Sequence, residues 1–353
     1  MIKTEFIIIG QGICGTFLSW YLQQAGRHFI MIDHYDPSSS SQVAAGIINP
    51  VTGRRIVKTW MIGEILPFAL NAYEQLGRHL GIEAIARKTM IDFFPSAQML
   101  NAFIERVRHD DEYLTLLKDA TLFNHQFSYE FGHGEIDPCY IVNLKELLSS
   151  WRHLLKNQKV LLEDRFNENE LRISHDKIVY KDVSAERIIF CDGIYSSTRS
   201  YFKNLPFALN KGEALIIECD IPDNYIFKKG ITVAPLGNRL FWAGSSHEWN
   251  FTDNQPSENF LKKTTNILSQ WLKVPFNVVH HVASIRPATL ERRPFAGIHP
   301  HFSRIGILNG MGTKGCSLSP YFADQFVNHL TNNSAILPEA DIKRFSRILN
   351  SSI

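Results

Sequence analysis

Two kinds of pattern alternate at the start of the chain: continuously apolar runs that stop at glycine, and segments with apolar positions three and four apart. Residues 5–10 read as a buried parallel strand, because FIIIG has no polar position and ends in Gly10. Residues 13–25 read as a helix, with Phe17, Leu18, Tyr21 and Leu22 on one face and Gly26 just past its end. HFIMID, closing on Asp33, is a second buried strand, so the opening stretch predicts a βαβ unit. The polar-then-small stretch SSSSQVAAGIINPVTGRR predicts an ordered loop leading into a short helix. Residues 60–109 are expected to be helical, GHGEIDPCYIVN to be rich in turns, and residues 144–156 to form another helix. KVLLE, LRIS, KIVYKDVS and RIIFCDG then read as strands.

The pattern changes over residues 207–285. EALIIECD, GITVAPLGNRLFWAG and NVVHHVAS are strand-like, with a hairpin turn at Leu236-Gly237-Asn238, and residues 257–272 read as a helix. The end of the chain returns to the opening theme with the strand RIGILNG, the glycine-rich loop MGTKG and a helix over 317–330. The predicted fold is α/β, α+β overall: a Rossmann-like nucleotide-binding domain with an interleaved antiparallel β-rich domain. The first would be assembled from residues 1–60, 140–206 and 285–353, and the second, a substrate or cap domain, from 61–139 and 207–284.

Composition narrows the functional classes. With 44% hydrophobic and 20% charged residues in 353, the chain is an ordinary globular protein rather than a disordered one. Thirty-seven basic against 35 acidic residues leave a formal charge of +2, which offers no general attraction for nucleic acid or an anionic membrane. Cys14, Cys139, Cys191, Cys219 and Cys316 are scattered without a C-x-x-C pair, so neither a disulfide framework nor a metal site is expected, and a reducing cytoplasm is. No run reaches the roughly 18–20 apolar residues of a membrane span, and no signal peptide is expected ahead of the first strand.

The chemistry begins at Gly10-Gln11-Gly12-Ile13-Cys14-Gly15, a G-x-G-x-x-G placed between a strand and a helix. Gly10 allows the tight turn, Gly12 a close approach of a pyrophosphate to the backbone, and Gly15 the packing of helix on strand. Asp33, about 20 positions on, is placed to accept ribose hydroxyls. The chain leaves the nucleotide fold early and returns near its end, a detour that suits FAD, a long cofactor needing cover along its length.

At these residues the sequence resembles the FAD-dependent D-amino-acid oxidase superfamily, particularly its glycine oxidase and sarcosine oxidase branch. SSSSQVAAGIINP is similar to the family's Ser/Thr-rich loop ending in Ala-Ala-Gly-Met. The resemblance implies that Ser40 and Ser41 reach the pyrophosphate, while Ala44, Ala45, Gly46 and Ile47 let the backbone pass close to the flavin. IIFCDGIYS, with Cys191, Asp192 and Gly193, takes the place of the strand beside the adenosine half, and Ile13, Cys14, His34 and Phe166 complete that part of the set. GILNGMGTKGCSLSP resembles the last strand, glycine loop and helix that hold the flavin pyrimidine ring, here Gly310, Gly312, Thr313, Lys314, Gly315 and Cys316. FAD is expected to be non-covalent: Ser284 stands near the place of a tethering cysteine, and the loop over 38–46 has no histidine.

IRPATLERRPFAG looks like the family's Arg-Pro segment, whose arginine, here Arg286, touches both flavin and the substrate carboxylate. A structural ion pair is the alternative use of Arg286. The tyrosine that assists in glycine oxidases falls at Thr232. Arg54, Arg55 and Lys58 resemble the Arg-x-x-Arg beside the flavin of sarcosine oxidases; Arg55 or Lys58 would supply positive potential for an anionic substrate or for dioxygen reduction, a role for which Lys314 competes. Those charges equally fit a solvated helix start. Trp242 and His247 fit either a pocket over the flavin or the core. The reaction implied is hydride transfer to FAD from the α-carbon of a small amino acid or secondary amine, with dioxygen or an electron carrier as acceptor. CDGIYSSTR also fits the Asp-Gly fingerprint of flavin hydroxylases, and 2-hydroxy-acid dehydrogenases, a tRNA-modifying oxidase and a non-catalytic FAD-binding protein are further uses of the same frame.

Overall fold

In the computed structural model, residues 1–53, 56–109, 112–117, 119 and 121–350 are described. Ile2–Ile9 lies inside the first of two large sheets, flanked in parallel by Phe29–Ile32 and Val183–Phe190, with Phe302–Asn309 parallel to the latter. Phe6 and Ile8 pack toward Phe17, Leu18, Phe322 and Phe326 of the helices Ile13–Gln24 and Gly315–Asn332. Ile7 and Ile9 pack on the other side against Phe166, Tyr180 and Phe202. Burial on both faces is why this strand carries no polar alternation. Ile9 stands level with Ile32 and Phe190, so Gly10, Asp33 and Cys191 all leave from the carboxyl edge of the sheet.

The second sheet is mostly antiparallel and runs in the order Phe276–Arg286, Asn210–Cys219, Leu240–Gly244, Ile231–Gly237, Tyr225–Lys229, Ile85–Phe93, His133–Val142 and Ile47–Ile48. Its strands thus come from both halves of the chain, and the divisions expected at 140 and 285 fall inside His133–Val142 and Phe276–Arg286. The pair Ile47–Ile48 carries the predicted flavin loop directly onto this sheet, and the Trp242 indole donates to the Val43 carbonyl at 3.1 Å. The mixed α/β architecture agrees with the pattern of the sequence. Among the described residues no helix is long and apolar enough to cross a membrane.

Three local expectations are corrected. The stretch 60–109 is not continuously helical: the helix Ile62–Leu80 ends at Gly81 (φ 69°), and the strand Ile85–Phe93 intervenes before the helix Ala97–His109. Arg87 and Lys88 disguise that strand, whose buried end, Met90 to Phe93, is paired on both sides as far as Asp92. The turn-rich passage is the strand His133–Val142; Asp137 and Pro138 sit where its register shifts between Met90 opposite Ile136 and Lys88 opposite Cys139. Proline is tolerated in a sheet at such an irregularity. The hairpin turn lies one residue later than expected, with Asn238 (φ 51°) and Arg239 (φ 61°) both left-handed.

Candidate functional site

A cavity of about 360 Å³ opens at the carboxyl edge of the first sheet and extends to the second. Ligands of open α/β sheets bind at such an edge. Gly10, Gly12, Ile13 and Cys14 form its floor; Gly10 is left-handed (φ 97°), and a Cβ there would lie 2.6 Å from the Cys191 carbonyl oxygen. A Cβ on Gly12 would lie 3.1 Å from Ser41 Oγ, which accepts from the Ile13 amide at 3.1 Å. Gly15 is not in the wall. It lets the helix touch the strand, since a Cβ would stand 1.9 Å from the Gly10 carbonyl oxygen.

At one end of the cavity, Asp33 accepts from the Gln11 amide at 2.8 Å and from Arg152 Nη1 at 2.5 Å, while Arg152 Nη2 reaches Glu163 at 3.0 Å. Asp192 pairs with Arg199 Nε at 3.0 Å and accepts from the Ser196 hydroxyl. Burial pushes the Asp192 carboxyl up, and Arg199 opposes that shift. The Arg199 guanidinium also lies 4.9 Å from the Phe166 ring centroid, and His34 faces Tyr195. Gln11, Arg152 and Arg199 were not anticipated. The signal for Arg152 was a lone charge among Leu148, Trp151 and Leu155 on the buried face of the helix Leu144–Asn157.

Ser40, Ser41, Ala44, Ala45, Gly46 and Ile47 line the middle of the cavity. Gly46 (φ 74°) is required there: a Cβ would lie 2.1 Å from the Val142 carbonyl oxygen. Gly312, Thr313, Gly315 and Cys316 line the far end, where the helix Gly315–Asn332 begins. Gly310 stands behind them, left-handed (φ 77°) and close against Thr289. Burial pushes the Cys14 thiol up to about 11 and the Cys316 thiol to about 12, so both stay protonated and apolar. Ser284 also lines the wall, and its buried hydroxyl has no partner among the described residues. Side-chain-free strips, paired glycine turns and an orphaned hydroxyl fit a long, flat cofactor against the backbone.

Arg286 lines the far wall. Its Nη1 donates to Asn210 Oδ1 at 2.7 Å and to the Ser246 carbonyl at 3.2 Å, with His247 Nδ1 at 3.5 Å. Its guanidinium rests on Gly212, where a Cβ would lie 1.7 Å from Nη2. Burial pushes Arg286 down to about 10, and burial together with the Arg286 charge lowers His247. Among the described residues, no carboxylate lies within ion-pair distance of Arg286. Lys314 is not itself in the wall but sits between Thr313 and Gly315, which are; its Nζ donates to Thr59 Oγ1 at 3.3 Å, and burial pushes it down to about 8.

Lys58 requires correction. It lies on the exposed strand Val57–Lys58, which pairs with Val51–Thr52, and it pairs with Glu112 at 2.6 Å and borders a separate small hollow instead of the cavity. Arg54 and Arg55 lie outside the described residues. Trp242 lines the cavity, His247 touches Arg286, and Thr232 stands opposite Gly244 in the second sheet.

A family model of FAD-dependent oxidoreductases, DAO, matches residues 5–328. Among solved structures, the chain is similar to glycine oxidase from Geobacillus kaustophilus, with 17% identity, a TM-score of 0.79 and 98% of each chain covered. It is similar to iminodiacetate oxidase from Chelativorans sp. BNC1, with 16% identity, a TM-score of 0.77 and 97% of this chain and 98% of that one covered. It is similar to L-proline dehydrogenase from P. horikoshii, with 14% identity, a TM-score of 0.77 and 98% of each chain covered. At these identities the likeness is one of fold. The family match spans most of the chain, and the cavity suits the cofactor it implies: the protein belongs to the DAO family of FAD-dependent oxidoreductases.

Proposed function

We propose that the protein oxidises the C–N bond of a small carboxylate-bearing amino acid or secondary amine. The observation that carries this reading is Arg286, a largely buried guanidinium in the cavity wall whose partners among the described residues are all neutral. A buried cation without an anion is costly, and a substrate carboxylate is the natural counter-charge. Asn210 and Ser246 hold Nη1, so recognition falls to the rest of the guanidinium. Bound FAD supplies the two-electron acceptor for hydride from the substrate α-carbon. The chain's own task is orientation, with the carboxylate held at Arg286 and water limited by Trp242 and the second sheet.

On this reading the first sheet carries FAD, non-covalently, and the second forms the substrate half. Glycine oxidase, iminodiacetate oxidase and L-proline dehydrogenase, by their names, act on amines that carry carboxylates, which supports the reading without naming the substrate. Dioxygen or an electron carrier would accept the electrons.

Anaerobic titration of the purified yellow protein with glycine, sarcosine, D-proline, D-alanine, iminodiacetate and 2-hydroxyglutarate tests the reading. Bleaching of the flavin absorbance by an amine is the expected result. Bleaching only by the hydroxy acid overturns C–N oxidation. Bleaching by none of them, with dithionite still effective, overturns turnover of this substrate class.

A further inference from the structure

The strand Asn210–Cys219 is bordered on one side by Phe276–Arg286, with Asn210 directly opposite Arg286 and Gly212 directly opposite Ser284. On its other side residues 246–248 run back along it: the Lys211 and Glu248 amides each donate to the other's carbonyl at 2.9 Å, and the Ser246 amide donates to the Glu213 carbonyl at 3.2 Å. Three pieces of chain thus meet level with Gly212, and the Arg286 guanidinium fills the space left by its missing side chain.

The groups that meet this guanidinium are neutral. Nη1 faces Asn210 Oδ1 at 2.7 Å, the Ser246 carbonyl at 3.2 Å and His247 Nδ1 at 3.5 Å. Burial and the Arg286 charge lower His247, so its ring is uncharged at neutral pH. The nearby acid, Glu213, is engaged by the Ser257 amide and hydroxyl at 2.6 and 2.8 Å and by His281 at 2.9 Å. Among the described residues every hydrogen bond of Arg286 comes from Nη1, which leaves Nε and Nη2 without a protein partner.

Asn210 is where this neutrality is decided. A position directly opposite an arginine in an antiparallel ladder is a natural place for a carboxylate, since opposite charges stabilise such a pair. An aspartate has the shape of the asparagine and would give the largely buried guanidinium its counter-ion. The chain has an amide there instead, 3% exposed. Its Nδ2 donates to the Glu248 carbonyl at 3.1 Å, so Oδ1 is the atom turned to Arg286. One edge of the guanidinium is fixed while its charge stays uncompensated, which is costly until an anion arrives.

We propose that Asn210 sets the charge selectivity of the site: it positions the Arg286 guanidinium through Nη1 without neutralising it, so that the other edge meets an anionic group of the substrate. This rests on the proposed oxidation of a carboxylate-bearing amine and adds the residue that makes its recognition depend on charge. Asn210 is a positioning residue acting through Arg286, and a carboxylate in its place would remove the advantage of anionic over neutral substrates.

Matched non-oxidisable ligands read charge selectivity apart from turnover. The visible spectrum of the FAD-loaded protein at pH 7 is titrated with methoxyacetate and propionate and with their amides, methoxyacetamide and propionamide. Wild type is expected to prefer each carboxylate. Asn210→Asp should weaken the carboxylates by about tenfold to a hundredfold, the range of a charge-assisted hydrogen bond, and leave the amide constants and the FAD content unchanged. Asn210→Ala, which removes the acceptor and adds no charge, should weaken carboxylates and amides alike and keep the preference. A carboxylate preference in Asn210→Asp equal to that of wild type overturns the inference and leaves the broader reading standing, as does an Asn210→Ala protein with wild-type constants or with no preference. The alanine variant decides alone if the aspartate variant does not fold. If no carboxylate perturbs the flavin of wild type, or Arg286→Met changes none of the constants, the broader reading fails and the inference falls with it.

Discussion

Gly212 and Arg286 are in direct contact across the second sheet: the guanidinium occupies the space a side chain at 212 would need, 1.7 Å from the position of a Cβ. Gly212 is paired with Ser284 on one side, and its neighbours Lys211 and Glu213 are hydrogen-bonded to Glu248 and Ser246 on the other, so its backbone has little freedom to retreat. In Gly212→Ala the guanidinium must therefore leave Asn210 and Ser246. Ligand carboxylates should bind about tenfold to a hundredfold more weakly, with flavin content unchanged. Spectral titration checks this, and the double variant Gly212→Ala/Arg286→Met should be no weaker than Arg286→Met alone, because both changes remove one interaction.

The displaced titration of Lys314 has a consequence for stability. Its folded pKa lies near 8, below the ordinary 10.5, because burial disfavours the charged form. Between those values the unfolded chain binds more protons than the folded one, so this group's contribution to stability rises with pH. Its burden is full below about 8 and is relieved as pH climbs toward 10.5. With flavin removed, Lys314→Met should unfold at higher urea than wild type at pH 7, and the gap should narrow through pH 9 and 10. A gap that stays constant or widens with pH contradicts this assignment of the charge.

Arg152 anchors the opposite end of the cavity. It donates to Asp33, to the Gln11 side chain at 3.3 Å and to Glu163, and its side chain is only 10% exposed. Arg152→Leu strands the Asp33 carboxylate, and removing one partner of a largely buried pair costs about 3 kcal/mol. Denaturant unfolding should show that loss. Fluorescence titration of the flavin-free protein should show weaker FAD binding, because Asp33 is no longer fixed beside Gln11.

The parts of the fold visible in the sequence are those whose physics is local. The run Phe6 to Ile9, buried on both faces, and the turn needing Gly10, Gly12 and Gly15 are written in consecutive residues. The strand Ile85–Phe93 was hidden because its identity comes from partners far away, His133–Val142 and Tyr225–Lys229. Arg286 could be singled out, but not its setting: Asn210, Gly212 and Ser246 come from other parts of the chain. Lys58 shows the converse error, since a basic residue near a flavin loop in sequence was carried away by the hairpin Val51–Thr52 and Val57–Lys58.

Two glycines separate a steric requirement from a conformational one. Gly15 is helical and needs no special backbone angle, yet a Cβ would stand 1.9 Å from the Gly10 carbonyl oxygen, a backbone atom fixed by the turn. Gly63 is also helical, at the exposed start of Ile62–Leu80, and a Cβ there meets nothing within 4 Å. Gly63→Ala should stabilise the protein by about 0.5 kcal/mol, since alanine restricts the unfolded chain and favours helix. Gly15→Ala must instead push the helix Ile13–Gln24 off the strand Ile2–Ile9, opening the core around Phe17 and Leu18 and moving Gly12 away from Ser41. It should be purified colourless or as aggregate. A soluble, yellow Gly15→Ala with wild-type melting would mean that the turn relaxes freely and that the contact of Gly15 with Gly10 does not hold the cavity floor of Gly10, Gly12, Ile13 and Cys14 in place.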